Sequence, residues 1–378
     1  MDSDRPTSLI EHFSVLVDGR YEEKCLHKLI DVIIIAIVAV ICGADEWTGI
    51  EKFGKAKEDW FRRFLDLDNG IPSHDTFGRV FSLLSPRAFE ARFAQWIQSV
   101  GDIHGEQIIA IDGKTLRRSH DRKSGKAPIH MVSAWAHANR VVLGQRATEA
   151  KSNEITAIPE LLESLLLRGC IVTIDAMGCQ KKIAQKIVDQ GGDYVLALKG
   201  NQSTLAEEVE EAFIDADARD YEGVQTDFFE TSERGHGRIE TRRYRTLSDL
   251  SGLSQSKKWA GLNVIAMVES QREQEGKRST ETRYYIGSIG NDARRLGEAV
   301  RAHWSIENDL HWSLDVAFRE DESRVRNRNA AENFAVLRHI ALGLLKNEKT
   351  AKVGIKTKRQ MAGWDERYLA KLLFPQGR

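Results

Sequence analysis

The first hundred residues carry apolar side chains at three-to-four spacing, which is the period of an amphipathic helix. This pattern predicts helices at Leu26–Cys42, Trp47–Phe53, Lys57–Leu65 and Phe89–Val100. The longest apolar run of the chain, Val32 to Gly43, has about 12 residues, whereas ~20 are needed to cross a bilayer. We therefore interpret it as a buried helix of an all-helical N-terminal domain.

One more helix is predicted after Pro72, because proline near a first turn and a capping Ser73 or Asp75 are helix-start signals. A helix preceded by a tight turn is also the arrangement in which a helix-turn-helix reads a DNA groove. The polar side chains that would then face DNA are Ser73, His74, Thr76 and Arg79. The alternative is a helix packed inside the bundle through Phe77, Val80 and Phe81.

From residue 107 the pattern changes to short apolar runs, which predict buried strands. The order is strand, strand, strand, helix, strand, helix, strand, at Gln107–Asp112, Ile129–Ala136, Arg140–Thr148, Glu154–Leu167, Cys170–Asp175, Gln180–Gln190 and Tyr194–Leu198. Three consecutive strands followed by βα units give an α/β fold whose mixed sheet is flanked by helices, which is the ribonuclease-H-like order.

Residues 204–290 interrupt that scheme. After an acidic helix, period-two alternation predicts an antiparallel β insertion with strands at Val224–Thr231, Ile239–Leu247, Leu262–Ser270 and Thr280–Ile289. Helices return from Asp292 to about Val316 and from Ala330 to Lys346. We therefore divide the chain into a helical domain (1–100), an α/β domain (101–346, with the insertion at about 204–290) and a basic C-terminal tail (347–378).

Composition constrains the setting of the protein more than its activity. The hydrophobic content of 41% and charged content of 29% over 378 residues are typical of a globular protein with two or three domains. The four cysteines are scattered without a CxxC pair, which argues against a zinc ribbon and for reduced thiols in the cytoplasm. The net charge of −1 does not indicate nucleic acid, but basic residues cluster at Lys114–Lys126, Arg324–Arg328 and Lys349–Arg359.

Two acids are placed as a metal-dependent phosphodiester site requires. Asp112 and Asp175 each end a predicted buried strand, and the carboxyl edge of an α/β sheet is the usual location of ligand chemistry. If the two strands are neighbours, both carboxylates can bind one Mg²⁺, a cation that prefers oxygen ligands. For a single strand-end aspartate, a helix cap or a turn residue is the more common explanation, but the occurrence of two such residues favours a site.

A third acid is harder to choose. Glu307 lies between His303 and His311 in a predicted helix, and i, i+4, i+8 spacing would place all three on one face. This His-Glu-His spacing differs from the HExxH zinc motif. The acids that compete with Glu307 are Asp315, Glu320, Asp321 and Glu322. The last three lie near the predicted helix end, where a solvated charge is the ordinary explanation.

Several motifs in a fixed order resemble the insertion-sequence transposases of the ISAs type, also called H-repeat-associated proteins. The matching segments are Ile111–Arg117 (IDGKTLR), Thr173–Gln180 (TIDAMGCQ), Leu198–Gln202 (LKGNQ), His236–Arg238 (HGR), His303–Asn308 (HWSIEN) and Asn329–Asn333 (NAAEN). The first hundred residues also resemble the domain that accompanies these enzymes, so the resemblance covers essentially the whole chain.

The resemblance implies a DDE transposase with a ribonuclease-H-like catalytic domain and a β-rich insertion before its last acid. It implies that Asp112, Asp175 and Glu307 are the catalytic and metal-binding triad, holding two Mg²⁺ ions for which Mn²⁺ can substitute. In the broader group, Tyr, Arg and Lys accompany the Glu at fixed spacing. In this chain those positions hold Val300, His303 and Leu314. The DNA contacts made by the Tyr, Arg and Lys elsewhere therefore cannot be transferred.

We expect the partner to be double-stranded DNA, both terminal repeats of the element and target DNA, bound by a homodimer in the cytoplasm near the nucleoid and away from membranes. The residues expected to contact DNA are Lys114, Arg117, Arg118, Lys199, Asn201, Gln202, Arg301, His303 and His311. Two alternatives to transposition remain at this point. One is a stand-alone Mg²⁺-dependent nuclease, and the other is a DNA-binding relic without catalysis.

Overall fold

The fold was analysed in a computed structural model. It describes residues 9–100, 107–120, 128–148, 154–327 and 329–373, except positions 22, 24 and 236 and the side chains of 98–100. His236, Lys126 and Arg328 of the motifs and basic clusters lie outside the described residues. The chain forms two compact units, which we call the helical unit (Met1–Ile103, Gly113–Asn153, Glu307–Arg378) and the sheet unit (His104–Asp112, Glu154–Ile306).

From residue 29 to residue 347 the helices and strands follow the order that the apolar pattern predicts, whereas the helices at Leu9–Ser14, Ile355–Trp364 and Glu366–Leu373 were not predicted. The helices are α1 Leu9–Ser14, α2 Leu29–Ile41, α3 Trp47–Ala56, α4 Glu58–Phe61, α5 His74–Leu83, α6 Pro86–Val100, α7 Glu154–Glu163, α8 Lys181–Asp189, α9 Ser203–Asp217, α10 Ala293–Ser305, α11 Trp312–Phe318, α12 Ala330–Asn347, α13 Ile355–Trp364 and α14 Glu366–Leu373. The strands are β1 Ile108–Thr115, β2 His130–Ala136, β3 Val141–Thr148, β4 Ile171–Ile174, β5 Asp193–Leu198, β6 Thr226–Gly235, β7 Arg238–Leu247, β8 Val264–Gln274 and β9 Lys277–Gly287.

In the sheet unit the strands lie in the order β1-β4-β5-β9-β8-β7-β6. β1, β4 and β5 are parallel, while β9 pairs antiparallel with β5 and begins a four-stranded antiparallel ladder. Helix α10 packs against β4 to β7. Gly297 permits this packing, because a Cβ on it would lie 3.2 Å from the Tyr244 ring. The sheet is therefore mixed and covered by helices, as expected.

The four strands of the predicted insertion exist but continue the sheet. β9 pairs with β5 from Val195↔Gly287 to Leu198↔Tyr284, so the ladder extends the sheet from its parallel strands. The ladders also run several residues beyond most of the predicted strand ends, where charged side chains pair with one another. Arg272, for example, forms an ion pair with Glu240 (2.9 Å), and Arg278 forms one with Glu273 (3.4 Å).

In the helical unit, α12 packs against α2, α5 and α6. Helix α2 is buried from Asp31 to Ile41, which confirms the interpretation of the long apolar run. Asn333 of α12 donates its side-chain amide to the carbonyl oxygens of Phe81 (2.7 Å) and Leu84 (2.9 Å). Strands β2 and β3 form an antiparallel pair in this unit. Among the described helices, none is both long and apolar enough to cross a membrane.

The segment predicted as a basic tail contains two helices, α13 and α14, in the helical unit. The Arg359 guanidinium is buried, donating to the carbonyl oxygen of Val40 (2.8 Å) and to Asp45 (2.8 Å). Lys358 is also buried and donates to the carbonyl oxygen of Leu345 (2.9 Å). Both side chains donate to carbonyl oxygens inside the unit, so these two basic residues belong to its packed interior.

Candidate active site

Asp112 and Asp175 come directly after the last paired position of β1 and β4 in the sheet unit. Asp175 follows the end of β4, as predicted, whereas β1 continues to Thr115, so the expectation that Asp112 ends its strand is wrong. β1 and β4 are parallel neighbours, and Ile111 pairs with Ile174 at the last position of the ladder. Each aspartate follows its paired isoleucine directly, and adjacent strands lie about 4.8 Å apart. Both aspartates are partly exposed. The register therefore brings together two of the three acids that the sequence singled out.

The Asp175 carboxylate is held by the turn that follows it. Its Oδ1 accepts hydrogen bonds from the backbone N–H groups of Met177 (3.1 Å) and Gly178 (3.4 Å). The turn Ala176–Gly178 is a short 3₁₀ helix with Asp175 as its N-cap. A Cβ on Gly178 would lie 2.2 Å from Cγ2 of Ile174. Glycine is therefore required for the turn to approach β4 closely enough to reach the carboxylate.

The segment after β5 contacts the same turn. The Asn201 side-chain amide donates to the carbonyl oxygen of Ala176 (2.6 Å), and the Gln202 amide donates to that of Cys179 (3.0 Å). Lys199, from the same motif, is exposed. Of the three residues expected to bind DNA here, Lys199 thus projects into solvent, while Asn201 and Gln202 each make an intramolecular hydrogen bond.

His303 lies close to Asp175 within the sheet unit. Its Nδ1 is 3.1 Å from Oγ1 of Thr173, two residues before Asp175. Burial lowers the pKa of His303, although the Asp175 carboxylate acts in the opposite direction. The imidazole is therefore neutral at neutral pH. Arg301 on the same helix is exposed and forms an ion pair with Glu233 at 3.3 Å.

Glu307 begins the helical unit and lies at the start of a π-helical turn, Ile306–His311. Its side chain is exposed. A π turn closes i→i+5 hydrogen bonds, so this segment departs from the uninterrupted α-helix on which the expected single face of His303, Glu307 and His311 was based. That shared face stays a prediction.

The acids downstream of Glu307 surround Lys114 inside the helical unit. The Lys114 ammonium lies 2.5 Å from Asp315, 3.3 Å from Glu320 and 3.4 Å from Asp321. Glu320 is only 3% exposed and also pairs with Arg338 at 3.5 Å. The expectation of solvated charge is therefore wrong for Glu320. Lys114, expected to contact DNA, has its charge compensated by these carboxylates.

His311 lines a small cavity of about 10 Å³ beside this cluster, together with Ser133 and His339. Burial lowers the pKa of both His311 and His339 to about 4, so both rings are neutral at neutral pH. Arg117, in contrast, has a side chain that is 79% exposed and lies 3.3 Å from Asp321. Arg118 is also exposed, with its carbonyl oxygen accepting from Arg326 (3.0 Å).

In the part of the chain that the structure describes, no three His, Cys, Asp or Glu side chains are grouped to hold a metal ion.

Comparison with known protein families identifies the family of this chain. The family model described as "Transposase DDE domain" matches residues 103–344, and one described as "DDE_Tnp_1-associated" matches residues 10–97. The chain belongs to the DDE transposase family.

Relatives agree with this assignment over most of their length. The chain is 46% identical to the candidate transposase YncI of Escherichia coli O157:H7, over 97% of this chain and 94% of the relative. It is 42% identical to the H repeat-associated candidate transposase YhhI of Escherichia coli K12, over 98% of each. A short relative named as an inactive transposase, YbfQ of the same strain, is 46% identical over 20% of this chain and 88% of its own length. The resemblance to H-repeat-associated transposases is thereby confirmed.

For a DDE transposase, the structure adds residues that the sequence did not single out. Thr173 contacts His303, and the backbone N–H groups of Met177 and Gly178 hold Asp175. Side-chain chemistry gives no signal for a backbone donor. The small residues of the Asp-Ala-Met-Gly segment are the only hint, since a close turn after a strand needs them.

Proposed function

We propose that this transposase cleaves the ends of an insertion sequence and joins them to target DNA in a Mg²⁺-dependent reaction, with Asp112, Asp175 and Glu307 as its metal-binding carboxylates. The observation that carries the proposal is the register of β1 and β4, which aligns Asp112 with Asp175. Ligands of α/β sheets bind outside the carboxyl ends of the strands; Asp175 lies directly after β4, and Asp112 lies directly after the last residue of β1 that pairs with β4. Membership of the DDE family supports Glu307 as the third acid.

The donors at this edge fit a hard divalent cation. Carboxylate oxygens are the ligands that Mg²⁺ prefers. The N–H groups of the turn engage Oδ1 of Asp175, so Oδ2 is the oxygen we assign to metal binding. The nearby thiol of Cys179 is buried, and burial together with Asp175 raises its pKa to about 12. It therefore stays protonated and does not offer a thiolate to a softer metal.

The chain's own residues orient the site. Bound at the triad, two divalent ions about 3.5–4 Å apart would activate the attacking water or 3′-hydroxyl and stabilise the leaving oxygen. Strands β1 and β4 fix the backbone of Asp112 and Asp175. We assign Glu307 to the same function from its place in the π turn, an irregularity that often occurs at functional sites. Neutral His303 braces β4 through Thr173 rather than contacting a phosphate.

We further propose that the catalytic core is ribonuclease-H-like. In the sheet unit the parallel order β1-β4-β5 supports this, with α7 and α8 in the connections. The antiparallel pair β2 and β3 follows β1 in sequence, as that fold requires. Strands β6 to β9 would then be the family's insertion before the last acid, built as an extension of the sheet.

For DNA contacts we propose Arg117, Arg118 and Lys199, which are exposed. Lys and Arg on DNA-binding surfaces contact phosphates and set the position of the protein, without reading sequence. Lys114 and His311 are left out of this set. Lys114 is paired with carboxylates, and His311 lines an interior cavity. We propose a homodimer as the assembly on DNA.

Substitution of Asp112 by Asn tests the proposed chemistry. We expect the variant to lose Mg²⁺-dependent nicking and joining of DNA that carries the element's ends, because one ligand charge is lost. Binding to those ends in a gel-shift assay should persist, since the DNA surface is unchanged. Asp215→Asn, an exposed acid of α9, is the matched control and should retain activity.

The same assay separates the alternatives. Full nicking by Asp112→Asn at the same Mg²⁺ concentration would exclude the triad. A wild-type protein that nicks but never joins strands would be a stand-alone nuclease. A wild-type protein that binds the ends without cleaving them would be a relic, which is how the name of YbfQ describes that short relative.

A further inference from the structure

Asn201 and Gln202 are adjacent residues whose side-chain amides both reach across to the turn after Asp175. They lie in the short turn Gly200–Gln202 that follows β5, the parallel neighbour of β4. The Asn201 amide donates to the carbonyl oxygen of Ala176 at 2.6 Å, and the Gln202 amide donates to that of Cys179 at 3.0 Å. The two bonds thus clamp the turn at both of its ends.

The turn held by these two hydrogen bonds is also the turn that donates to the candidate metal ligand, Asp175. Between the two carbonyl acceptors lie Met177 and Gly178, whose N–H groups donate to Oδ1 of Asp175. The Asn201 and Gln202 amides therefore hold the peptide units of the turn in place. The N–H groups of the turn then fix Oδ1 of Asp175. This leaves the other oxygen of Asp175 in a defined direction at the edge of the sheet.

We infer that Asn201 and Gln202 are positioning residues for Asp175, setting the metal-binding geometry of its carboxylate without touching metal or DNA themselves. This inference rests on the proposed function, because it concerns the same carboxylate. It differs from the sequence-based expectation that both residues contact phosphate. Since each amide already donates to a carbonyl oxygen, phosphate binding would compete with the clamp.

If Asn201 and Gln202 served only to stabilise the fold, their removal would lower global stability rather than metal affinity. Asn201 is exposed and Ala176 is partly exposed, so water can replace this hydrogen bond when the amide is removed. Global stability should then change little. The freedom of the turn would increase, however, and a ligand whose support is loosened binds metal less tightly, by roughly 10- to 100-fold for residues that directly support a ligand.

The test is calorimetric titration of the full chain with Mn²⁺ in the absence of DNA. For Asn201→Ala and Gln202→Ala we expect about tenfold weaker Mn²⁺ binding, the lower end of that range, because these residues act through the backbone. The double variant should be weaker than either single variant. Ser203→Ala, an exposed residue adjoining the same turn, is the matched control and should bind Mn²⁺ normally.

Three further measurements separate positioning from other roles. Melting temperature and metal-free affinity for DNA ends should be unchanged in the variants. Nicking should recover towards the wild-type rate as Mg²⁺ is raised, because the metal requirement and not the saturated rate is altered. Asn201→Asp keeps the shape of the side chain but cannot donate, so we expect it to behave like Asn201→Ala.

Unchanged Mn²⁺ affinity with weaker DNA binding would overturn the inference and restore the phosphate role. Unchanged Mn²⁺ and DNA affinities would overturn it as well. Asp175→Asn distinguishes this failure from that of the proposed function. If Asp175→Asn keeps full Mn²⁺ binding, the triad itself is wrong. If Asp175→Asn loses binding but Asn201→Ala does not, only the positioning role fails.

Discussion

Lys114 shows how a basic residue two positions after a candidate catalytic aspartate, within β1, can be internal rather than DNA-facing. Only 12% of its side chain is exposed, and three carboxylates surround its ammonium group. Burial lowers the pKa of Lys114, but Glu320 and Asp315 outweigh it and raise that pKa above its usual range. The lysine is therefore charged and compensates carboxylates, one of which, Glu320, is buried.

We expect Lys114→Met to lower the free energy of unfolding by about 3 kcal/mol, because the buried Glu320 carboxylate would lose one of its two cationic partners and keep only Arg338. Arg117→Ala is the control, since its ion pair with Asp321 is largely exposed and such pairs contribute less than about 1 kcal/mol. Urea denaturation of both variants measures the difference. Equal losses would show that the cluster is not organised around Lys114.

Gly178 is a second residue whose role is steric: it is needed because it has no side chain. Its absent side chain would overlap Cγ2 of Ile174 at 2.2 Å. We expect Gly178→Ala to cost about 1–3 kcal/mol of stability through overpacking, and to weaken Mn²⁺ binding by displacing the turn from Asp175. Gly200→Ala serves as the control, because no heavy atom lies within 4 Å of the position of its Cβ. Thermal unfolding that is identical for the two variants would contradict the steric argument.

At the scale of elements, apolar periodicity predicts most of the helices and strands, because a buried strand or helix face must be apolar whatever lies beside it. It does not predict α1, α13 or α14. The strands before Asp112 and Asp175 are predicted from sequence, but their pairing and the continuation of β1 to Thr115 come from the structure. At Ile306–His311 a π turn interrupts the α-helical repeat. No pattern of residue types marks such a turn, so the face of Glu307 stays a prediction.

Helix α5 is the element we propose to read the DNA sequence. Phe77, Val80 and Phe81 are buried, whereas Arg79 is exposed on the opposite side. Ser73 caps the helix by accepting from the Thr76 N–H (3.3 Å), and the His74 ring lies 2.7 Å from a Glu51 oxygen. The Thr76 hydroxyl also lies 3.1 Å from the Ser73 hydroxyl. Three of the four candidate polar residues are therefore engaged within the unit, which leaves Arg79 as the strongest candidate for a base contact.

Arg79→Ala should reduce the preference for element ends over unrelated DNA by about 1–3 kcal/mol if Arg79 contacts a base edge. Competition binding with the full chain measures this preference. Arg62→Ala is the matched control, since Arg62 is an exposed arginine of the same unit paired with Glu58 at 2.6 Å. An unchanged preference in Arg79→Ala would remove α5 as the reading helix.

At the scale of the whole molecule, the net charge is −1, so no general positive field attracts DNA. Affinity must then come from local basic groups such as Arg117 and Arg118. Replacing both by Ala should lower DNA affinity and reduce the slope of log affinity against log salt by roughly two units, one for each phosphate that is no longer neutralised. Lys257→Ala with Lys258→Ala, an exposed pair in the sheet unit, is the control. If the slope is the same in all three proteins, the loop after β1 does not contact phosphates.

The compact units of the chain are harder to predict from the sequence than its helices and strands. The domain boundaries predicted from sequence place Asp112 and Glu307 in one domain. The compact units of the structure instead divide the chain after Asp112 and again before Glu307. The basic segment at 347–378 is predicted as a tail, yet it contains α13 and α14, and Arg359 donates to the carbonyl oxygen of Val40, far away in sequence. Long-range packing of this kind depends on which surfaces meet, and a single sequence does not encode that in any local pattern.

The packing of α12 on α2 also matters while the protein is being made. Helix α2, buried along nearly its whole length, leaves the ribosome long before α12, which covers it. At roughly 5–20 residues per second, the nascent chain carries this apolar helix without that cover for tens of seconds. A gene copy truncated before α12 would encode N-terminal helices that never obtain their cover. Loss of the 3′ part of the gene should therefore yield an aggregation-prone product rather than a free DNA-binding domain.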